Sequence, residues 1–259
     1  MVIKLMVILF IILLLLIYFI RIKHKKESFI PNNEFYIMTI ATENYSKNLF
    51  SSLNTFKKSN SGIIIHVYCV NWSNKKLDEF KKIFPEYKFI KYQDNYIKNK
   101  LKKNIKSGYV IKLKVKLIYE SFIKHKKNLL FFDADTKIIN KIEKIFDKYN
   151  NYDVLITNRP DRKRIRELFA TGVMGFSYNK KTQYFLKQYN YNTLNNVTKK
   201  EDYHPGTIDG WWHDQIGFYK TYKQFPHIKY YFFKEIEHNL CGKHNPKQKK
   251  LDNSIFQSY

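Results

Sequence analysis

Short apolar runs alternate with segments of helical spacing along most of this chain, and that alternation constrains its fold more than any other feature. Phe35–Thr42 and Ile63–Val70 are short and apolar, as buried strands are. Leu77, Phe80 and Phe84 recur after them at the spacing of a helix. Parallel strands need a crossover segment between them, usually a helix. The sequence therefore predicts an α/β domain with a mostly parallel sheet.

The segment Tyr109–Lys124 fits both a strand and a helix. We prefer the helix, because sixteen residues without a turn signal are long for a strand. Asn128–Phe132 then forms the next buried strand. Further strands are predicted at Phe89–Tyr92, Tyr152–Thr157, Gly172–Ser177 and Lys229–Phe233.

An apolar run, Leu5–Ile20, stands at the start of the chain. About twenty helical residues rise about 30 Å, the thickness of a hydrocarbon core. Basic residues end the run, and no small-residue cleavage site follows it. We expect a transmembrane anchor at 1–22, a short basic and polar link at 23–33, and one domain at 34–259.

The chain is strongly basic, with 47 Lys and Arg against 22 Asp and Glu, a formal net charge of +25. Such a surface suits solvated lysines, an anionic membrane or nucleic acid. No RNA-recognition, zinc-finger or helix-turn-helix signature is present, so no specific nucleic-acid partner is expected. The two cysteines exclude a disulfide framework. A non-enzymatic protein that binds membranes or nucleic acid through this surface remains an alternative.

Two carboxylates, Asp133 and Asp135, directly follow the predicted strand Asn128–Phe132. Open α/β sheets bind ligands at the carboxyl ends of their strands. Two carboxylates held close repel each other unless a cation lies between them. Mg²⁺ and Mn²⁺ prefer oxygen ligands and neutralise a diphosphate leaving group. The motif therefore predicts a divalent-metal site that serves a diphosphate substrate.

A second enzyme class uses a similar motif. Haloacid-dehalogenase-like phosphatases carry Asp-x-Asp-x-Thr after a strand, and their first Asp is the nucleophile. Here Lys137 occupies the position of that Thr, and Thr136 lies one place too early. About a hundred residues of the predicted domain also precede the motif. A phosphatase that uses Asp133 and Asp135 is thus the alternative enzyme.

Five elements that span most of residues 35–250 carry a resemblance to a known family. They are Ile40–Tyr45, Asp133-Ala134-Asp135, Phe169–Met174, Asp214-Gln215, and His238-Asn239 with Gly242 and Lys247. In this order they resemble the motifs of GT-A-fold glycosyltransferases, in particular the nucleotide-diphospho-sugar transferase family that includes plant cell-wall α-glycosyltransferases. The resemblance implies a Rossmann-like α/β domain with a mixed, mostly parallel sheet.

The resemblance also implies an activity. It is the metal-dependent transfer of a hexose or pentose from a nucleotide-diphosphate donor, most simply a UDP-sugar, to a glycan, glycoprotein or glycolipid acceptor. The family implies retention of anomeric configuration, with the leaving phosphate as a candidate base for the acceptor. If the enzyme instead inverts, Asp214 or Asp209 is the candidate base.

The site residues follow from the same resemblance. The donor-binding residues implied are Thr42, Tyr45, Asp133, Ala134, Asp135, Gly172, Gln215 and Lys247. The implied ligands of Mn²⁺ or Mg²⁺ are Asp135, Asp133 and His238, with His244 as a substitute for His238. The implied catalytic residues are Asp214 and Asp133. Lys112 and Lys114, on the predicted helix before the Asp pair, are further candidate cations for the diphosphate.

We expect the protein to be held at a membrane by a single N-terminal anchor. The sequence leaves two alternatives for the side of the membrane on which the domain lies. Four basic residues follow the apolar run and only Lys4 precedes its main part. The positive-inside rule then places the domain on the cytoplasmic face. The family resemblance favours the lumen of the Golgi or endoplasmic reticulum.

Overall fold

The structure is a computed structural model, and it describes residues 35–94, 106–195, 212–240 and 254–258. No helix within these ranges is long and apolar enough to cross a membrane. The predicted anchor, 1–22, lies outside them. The division into anchor, link and domain therefore stays a prediction.

Ten strands and five α-helices make up the described part of the chain. The strands are β1 Phe35–Thr42, β2 Ile65–Val70, β3 Lys88–Tyr92, β4 Asn128–Phe132, β5 Lys137–Ile138, β6 Val154–Asn158, β7 Phe169–Phe176, β8 Tyr230–Phe232, β9 His238–Leu240 and β10 Phe256–Ser258. The α-helices are α1 Ser46–Ser59, α2 Asn74–Ile83, α3 Lys106–His125, α4 Lys180–Leu194 and α5 His213–Gln224. Each strand predicted from the sequence exists, with its ends within three residues of the prediction. The preference for a helix after Tyr109 is also confirmed.

The main sheet has seven strands in the order β3-β2-β1-β4-β7-β6-β8. β1 pairs in parallel with β2 and β4, and β2–β3 and β6–β8 are parallel too. β7 runs antiparallel to both of its neighbours, β4 and β6. The predicted mixed, mostly parallel sheet is therefore confirmed.

Helix capping explains where two of the helices begin. The Ser73 hydroxyl accepts a hydrogen bond from the Lys76 amide at the start of α2. Asn179 accepts one from the Thr182 amide at the start of α4.

The helix α3 packs its apolar residues against β1, β4, α4 and α5. Its burial brings residues from the middle of this helix under the carboxyl end of β4.

A second, three-stranded sheet was not predicted from the sequence. β10 lies between β5, to which it is antiparallel, and β9, to which it is parallel. The strands have only two or three residues each, so their sequences carry no period that could identify them. This small sheet brings His238 and Ser258 beside the segment that follows β4.

Candidate active site

The Asp loop, which we define as Asp133-Ala134-Asp135, directly follows β4 and is fixed at three points. The Asp133 amide donates to the Gly172 carbonyl on β7 at 2.7 Å. The Thr136 amide donates to the Asp133 carbonyl at 2.9 Å. The buried Ser52 hydroxyl on α1 donates to the Ala134 carbonyl at 2.8 Å. These bonds hold both carboxylates at the carboxyl end of β4, as the sequence predicts.

Gly172 lies against the Asp loop because β7 is antiparallel to β4. A Cβ at this position would stand 3.3 Å from Asp133 Oδ2, 3.7 Å from the Ser258 hydroxyl and 3.9 Å from the Thr136 hydroxyl. The absent side chain thus leaves space beside a carboxylate oxygen. This close approach gives a physical reason for glycine at this position.

Lys114 joins the two parts of the site. Its ammonium, on α3, lies 2.5 Å from Asp214 Oδ2 and 3.4 Å from Asp133 Oδ1. It also donates to the Thr171 carbonyl at 3.4 Å. The side chains of Lys114 and Asp214 are only 9 % and 4 % exposed, so the pair is shielded from solvent.

Asp214 has further partners. The Thr171 hydroxyl donates to Oδ2 at 2.6 Å, and the Gln215 amide donates to Oδ1 at 2.8 Å. Each carboxylate oxygen accepts more than one hydrogen bond, so Asp214 can still bind a sugar hydroxyl.

Burial and neighbouring charges shift the pKa values of two groups in the site. Burial raises the pKa of the Asp133 carboxyl to about 7, with repulsion from Asp135 and Asp214 adding to the shift and Lys114 opposing it. Burial lowers the pKa of the Lys114 ammonium, but Asp133 and Asp214 outweigh burial and hold it above its ordinary value. Two carboxylates, Asp133 and Asp214, therefore face the Lys114 ammonium, and Asp135 adds a third negative charge near Asp133. The remaining negative charge fits a divalent cation.

A cavity of about 390 Å³ opens over these groups. Of the candidate site residues named from the sequence, those that line it are Tyr45, Asp133, Ala134, Asp135, Gly172, Asp214, Gln215 and Lys114. Thr42 ends β1 and does not line the cavity. Asp209, His244 and Lys247 lie outside the described residues.

Tyr45 lines this cavity and lies in a short 3₁₀ helix that follows β1. Burial raises the pKa of its phenol, and Asp135 and Asp133 add to the shift. The phenol is therefore close to the Asp loop, as the sequence predicts for a donor-binding residue.

His238 lies near the Asp loop but is engaged with hydroxyl groups. Its Nδ1 lies 2.5 Å from the Thr157 hydroxyl, and its Nε2 lies 3.0 Å from the Ser258 hydroxyl. Ser258 in turn lies 3.0 Å from the Thr136 hydroxyl. Within the described ranges no three His, Cys, Asp or Glu side chains gather as metal ligands. The prediction that His238 binds metal stays a prediction, and it requires one of these hydrogen bonds to break.

Several residues that line the cavity were not assigned a role from the sequence, among them two arginines and a serine. Arg159 and Arg162 come from the loop after β6, and Ser258 from the last strand of the small sheet. The concentration of arginines between 159 and 166 was a signal for the first two. Nothing in the local sequence identifies Ser258, because its place depends on how β10 pairs.

Comparison with known proteins identifies the fold. No protein-family model matches the sequence, and no curated protein sequence matches it. Among solved structures, mouse xyloside xylosyltransferase 1 in its apo form superposes with a TM-score of 0.53 and 12 % identity, over 81 % of this chain and 88 % of that one. This is the GT-A glycosyltransferase fold.

Two further structures with the GT-A fold are similar. The galactosyltransferase LgtC, in complex with donor and acceptor sugar analogues, has a TM-score of 0.54 and 12 % identity, over 86 % of both chains. The apo form of the glycosyltransferase GlyE from Streptococcus pneumoniae has a TM-score of 0.51 and 10 % identity, over 79 % of this chain and 46 % of that one. The resemblance of the five sequence elements to GT-A proteins is thereby confirmed for the fold.

Proposed function

We propose that this protein is a metal-dependent glycosyltransferase that moves a sugar from a nucleotide-diphosphate donor, a UDP-sugar in the simplest case, to a glycan, glycoprotein or glycolipid acceptor. One observation carries the proposal. The Asp loop follows β4 at the floor of a cavity, beside the shielded Lys114–Asp214 pair, in a chain with the GT-A fold. The known glycosyltransferases that share this fold support the activity by analogy.

The Asp loop is the proposed metal site, for Mn²⁺ or Mg²⁺. Its two carboxylates supply oxygen ligands, and the gap that Gly172 leaves beside Asp133 gives an ion or a phosphate room to approach. When bound, the ion would neutralise charge on the diphosphate leaving group. His238 is a further ligand in this proposal if its bond to Ser258 opens.

Lys114 and Asp214 are proposed to hold the donor sugar. The ammonium is fixed by Asp133 and Asp214, so it presents a positive charge at a defined place with little freedom to move. Asp214 accepts from a sugar hydroxyl with the acceptor capacity that Lys114 and Thr171 leave. Retention of anomeric configuration is proposed from the family resemblance, and an inverting mechanism would use Asp214 or Asp209 as its base.

Melting temperature tests this proposal before any acceptor is known. The full chain in detergent is heated with each nucleoside diphosphate and nucleotide sugar, with and without Mn²⁺. A ligand present at a hundred times its Kd stabilises the folded state by about 2.7 kcal/mol. We expect a shift that needs both Mn²⁺ and one nucleotide, and that is lost in Asp135→Asn.

The matched control is Asp147→Asn, which removes the same charge from an exposed position. It should keep the full shift. An Asp135→Asn protein that binds donor with unchanged affinity would refute the metal site. Turnover of a simple phosphate monoester without any nucleotide-dependent shift would favour the phosphatase hypothesis instead.

The proposed location is a membrane with the anchor at 1–22. The charge bias around the apolar run supports the cytoplasmic face, and the family resemblance supports the lumen. Protease protection of the domain in intact vesicles separates the two orientations.

A further inference from the structure

The polar groups of the cavity are joined by a chain of contacts. Tyr45 and Asp135 lie near Asp133, whose carboxylate faces the Lys114–Asp214 pair. Gln215 follows Asp214, and its side-chain carbonyl accepts a hydrogen bond from Arg159 Nη2 at 3.2 Å. Along this chain of contacts, Arg159 is therefore separated from the Asp loop by Gln215, Asp214 and Lys114.

Arg159 forms hydrogen bonds only to neutral groups among the residues that the structure describes. Its Nη2 donates to the Phe169 carbonyl and to Gln215, both at 3.2 Å. Its Nε is buried and has no hydrogen-bond partner within those residues. Burial lowers the pKa of this guanidinium, the nearby Arg162 adds to the shift, and Glu167 and Asp161 oppose it. Neither carboxylate forms an ion pair with Arg159 within the described residues, so this half-buried cation can bind a further anionic partner.

Arg162 and Trp212 add further donors that lack a strong acceptor in the described part of the chain. Arg162 also lines the cavity, and its ion pair is with Asp161, at 3.4 Å, whose side chain is 72 % exposed. Such a solvated pair is weak. The indole N–H of Trp212, on the same cavity wall, is buried without a partner in the described part of the chain. A buried hydrogen-bond donor without an acceptor lowers the stability of the folded state, and a ligand that accepts from it removes this cost.

We infer that the acceptor carries an anionic group, a carboxylate or a phosphate, that binds between Arg159 and Arg162 with Trp212 as an additional donor. The inference rests on the proposed function and names the acceptor class for the same site. Guanidinium groups bind carboxylate and phosphate through paired, charge-assisted hydrogen bonds. Arg159 and Arg162 would thus select the acceptor, and the Asp loop would bind the donor.

Matched acceptors test the inference. The full chain, with the nucleotide sugar that raises its melting temperature, is assayed on p-nitrophenyl glycosides that differ only at carbon 6. The glucoside and galactoside carry a hydroxymethyl group there, the glucuronide and galacturonide a carboxylate, and the sugar 6-phosphates a phosphate. We expect one anionic class to exceed its neutral counterpart in kcat/KM by about 10- to 100-fold, an advantage that shrinks as salt rises.

Variants show whether the arginines cause this preference. In Arg159→Gln and in Arg162→Gln the ratio of anionic to neutral kcat/KM should fall about 10-fold or more. Arg162→Gln leaves the bond between Arg159 and Gln215 in place, so it is informative even if Arg159→Gln folds poorly. Arg164→Gln, an exposed residue of the same segment paired with Glu167 at 3.7 Å, should leave the ratio unchanged.

Two results would overturn the inference while the proposed function stands. One is equal kcat/KM for the members of every pair. The other is a loss of donor binding in both arginine variants with an unchanged ratio, which would assign the arginines to the donor phosphates. Failure of the proposed function is recognised separately, because the donor-dependent melting shift involves no acceptor.

Discussion

The ammonium of Lys114 lies 2.5 Å from Asp214 Oδ2 and 3.4 Å from Asp133 Oδ1, and so joins the Asp loop to the first turn of α5. Its α3 neighbours Leu113 and Val115 are buried with it. A charge in this position stays stable only because two carboxylates face it.

Lys114→Met should destabilise the fold and abolish donor binding. It keeps the aliphatic volume but leaves Asp214 buried without its counter-charge, which costs about 3–5 kcal/mol. Urea unfolding measures the change in unfolding free energy. Lys116→Met, on the same helix and half-exposed, loses only a 3.8 Å pair with Glu120 and should change stability by less than about 0.5 kcal/mol. Equal effects of the two substitutions would contradict the role given to Lys114.

Gly172→Ala should weaken donor binding with little effect on the fold. The added methyl group would meet the Asp133 carboxylate at 3.3 Å, and a side-chain oxygen can move by a few tenths of an ångström. Gly175→Ala, on the same strand, would meet the Tyr149 hydroxyl at 2.6 Å inside the core and should cost about 1–3 kcal/mol. Melting temperatures with and without donor separate the two effects. A Gly172→Ala protein with normal donor affinity would show that this space is not used.

Ser52→Ala should loosen the Asp loop. It removes the donor to the Ala134 carbonyl at a fully buried position, which costs about 1–3 kcal/mol. The affinity for Mn²⁺ with nucleotide should fall as well, because the loop loses one of its three fixed points. Ser51→Ala, one residue earlier and half-exposed, is the control. Isothermal titration with donor, alongside urea unfolding, reports both quantities.

His66 should make the fold less stable in acid. Burial, with help from Lys88 and His125, lowers the pKa of its imidazole from 6.5 to about 4. The unfolded chain therefore binds more protons than the folded chain between these values. The contribution to stability is complete above pH 6.5 and is lost as the pH falls towards 4.

The variant His66→Phe tests this pH dependence. Phenylalanine can keep the contact with the Tyr36 ring, 4.1 Å away, but does not titrate. The unfolding free energy of His66→Phe should therefore fall less between pH 6.5 and 4 than that of the unmodified chain. His227→Phe, at an exposed position, should retain the full decline. An unchanged slope in His66→Phe would assign the acid sensitivity to other groups.

Local sequence determined the elements and the Asp loop. Apolar runs such as Asn128–Phe132 predict buried strands by themselves, because burial of both faces leaves no polar positions. The end of such a strand is a place where ligands bind, so the position of Asp133 and Asp135 at this edge of the sheet could be predicted without a structure. The length of the segment after Tyr109 indicated a helix rather than a strand.

Tertiary structure decided which residues meet across the cavity. The antiparallel course of β7 brings Gly172 to Asp133, and the packing of α3 and α5 brings Lys114 to Asp214. A strand's sequence specifies its buried face but not the direction of its neighbour, and a lysine in an amphipathic segment looks solvated until a second helix covers it. Pairing between residues far apart in the chain depends on strand order and helix packing. The sequence by itself therefore predicted the Asp loop, whereas only the fold showed that Lys114 is its counter-charge and that Arg159 and Arg162 line the same cavity.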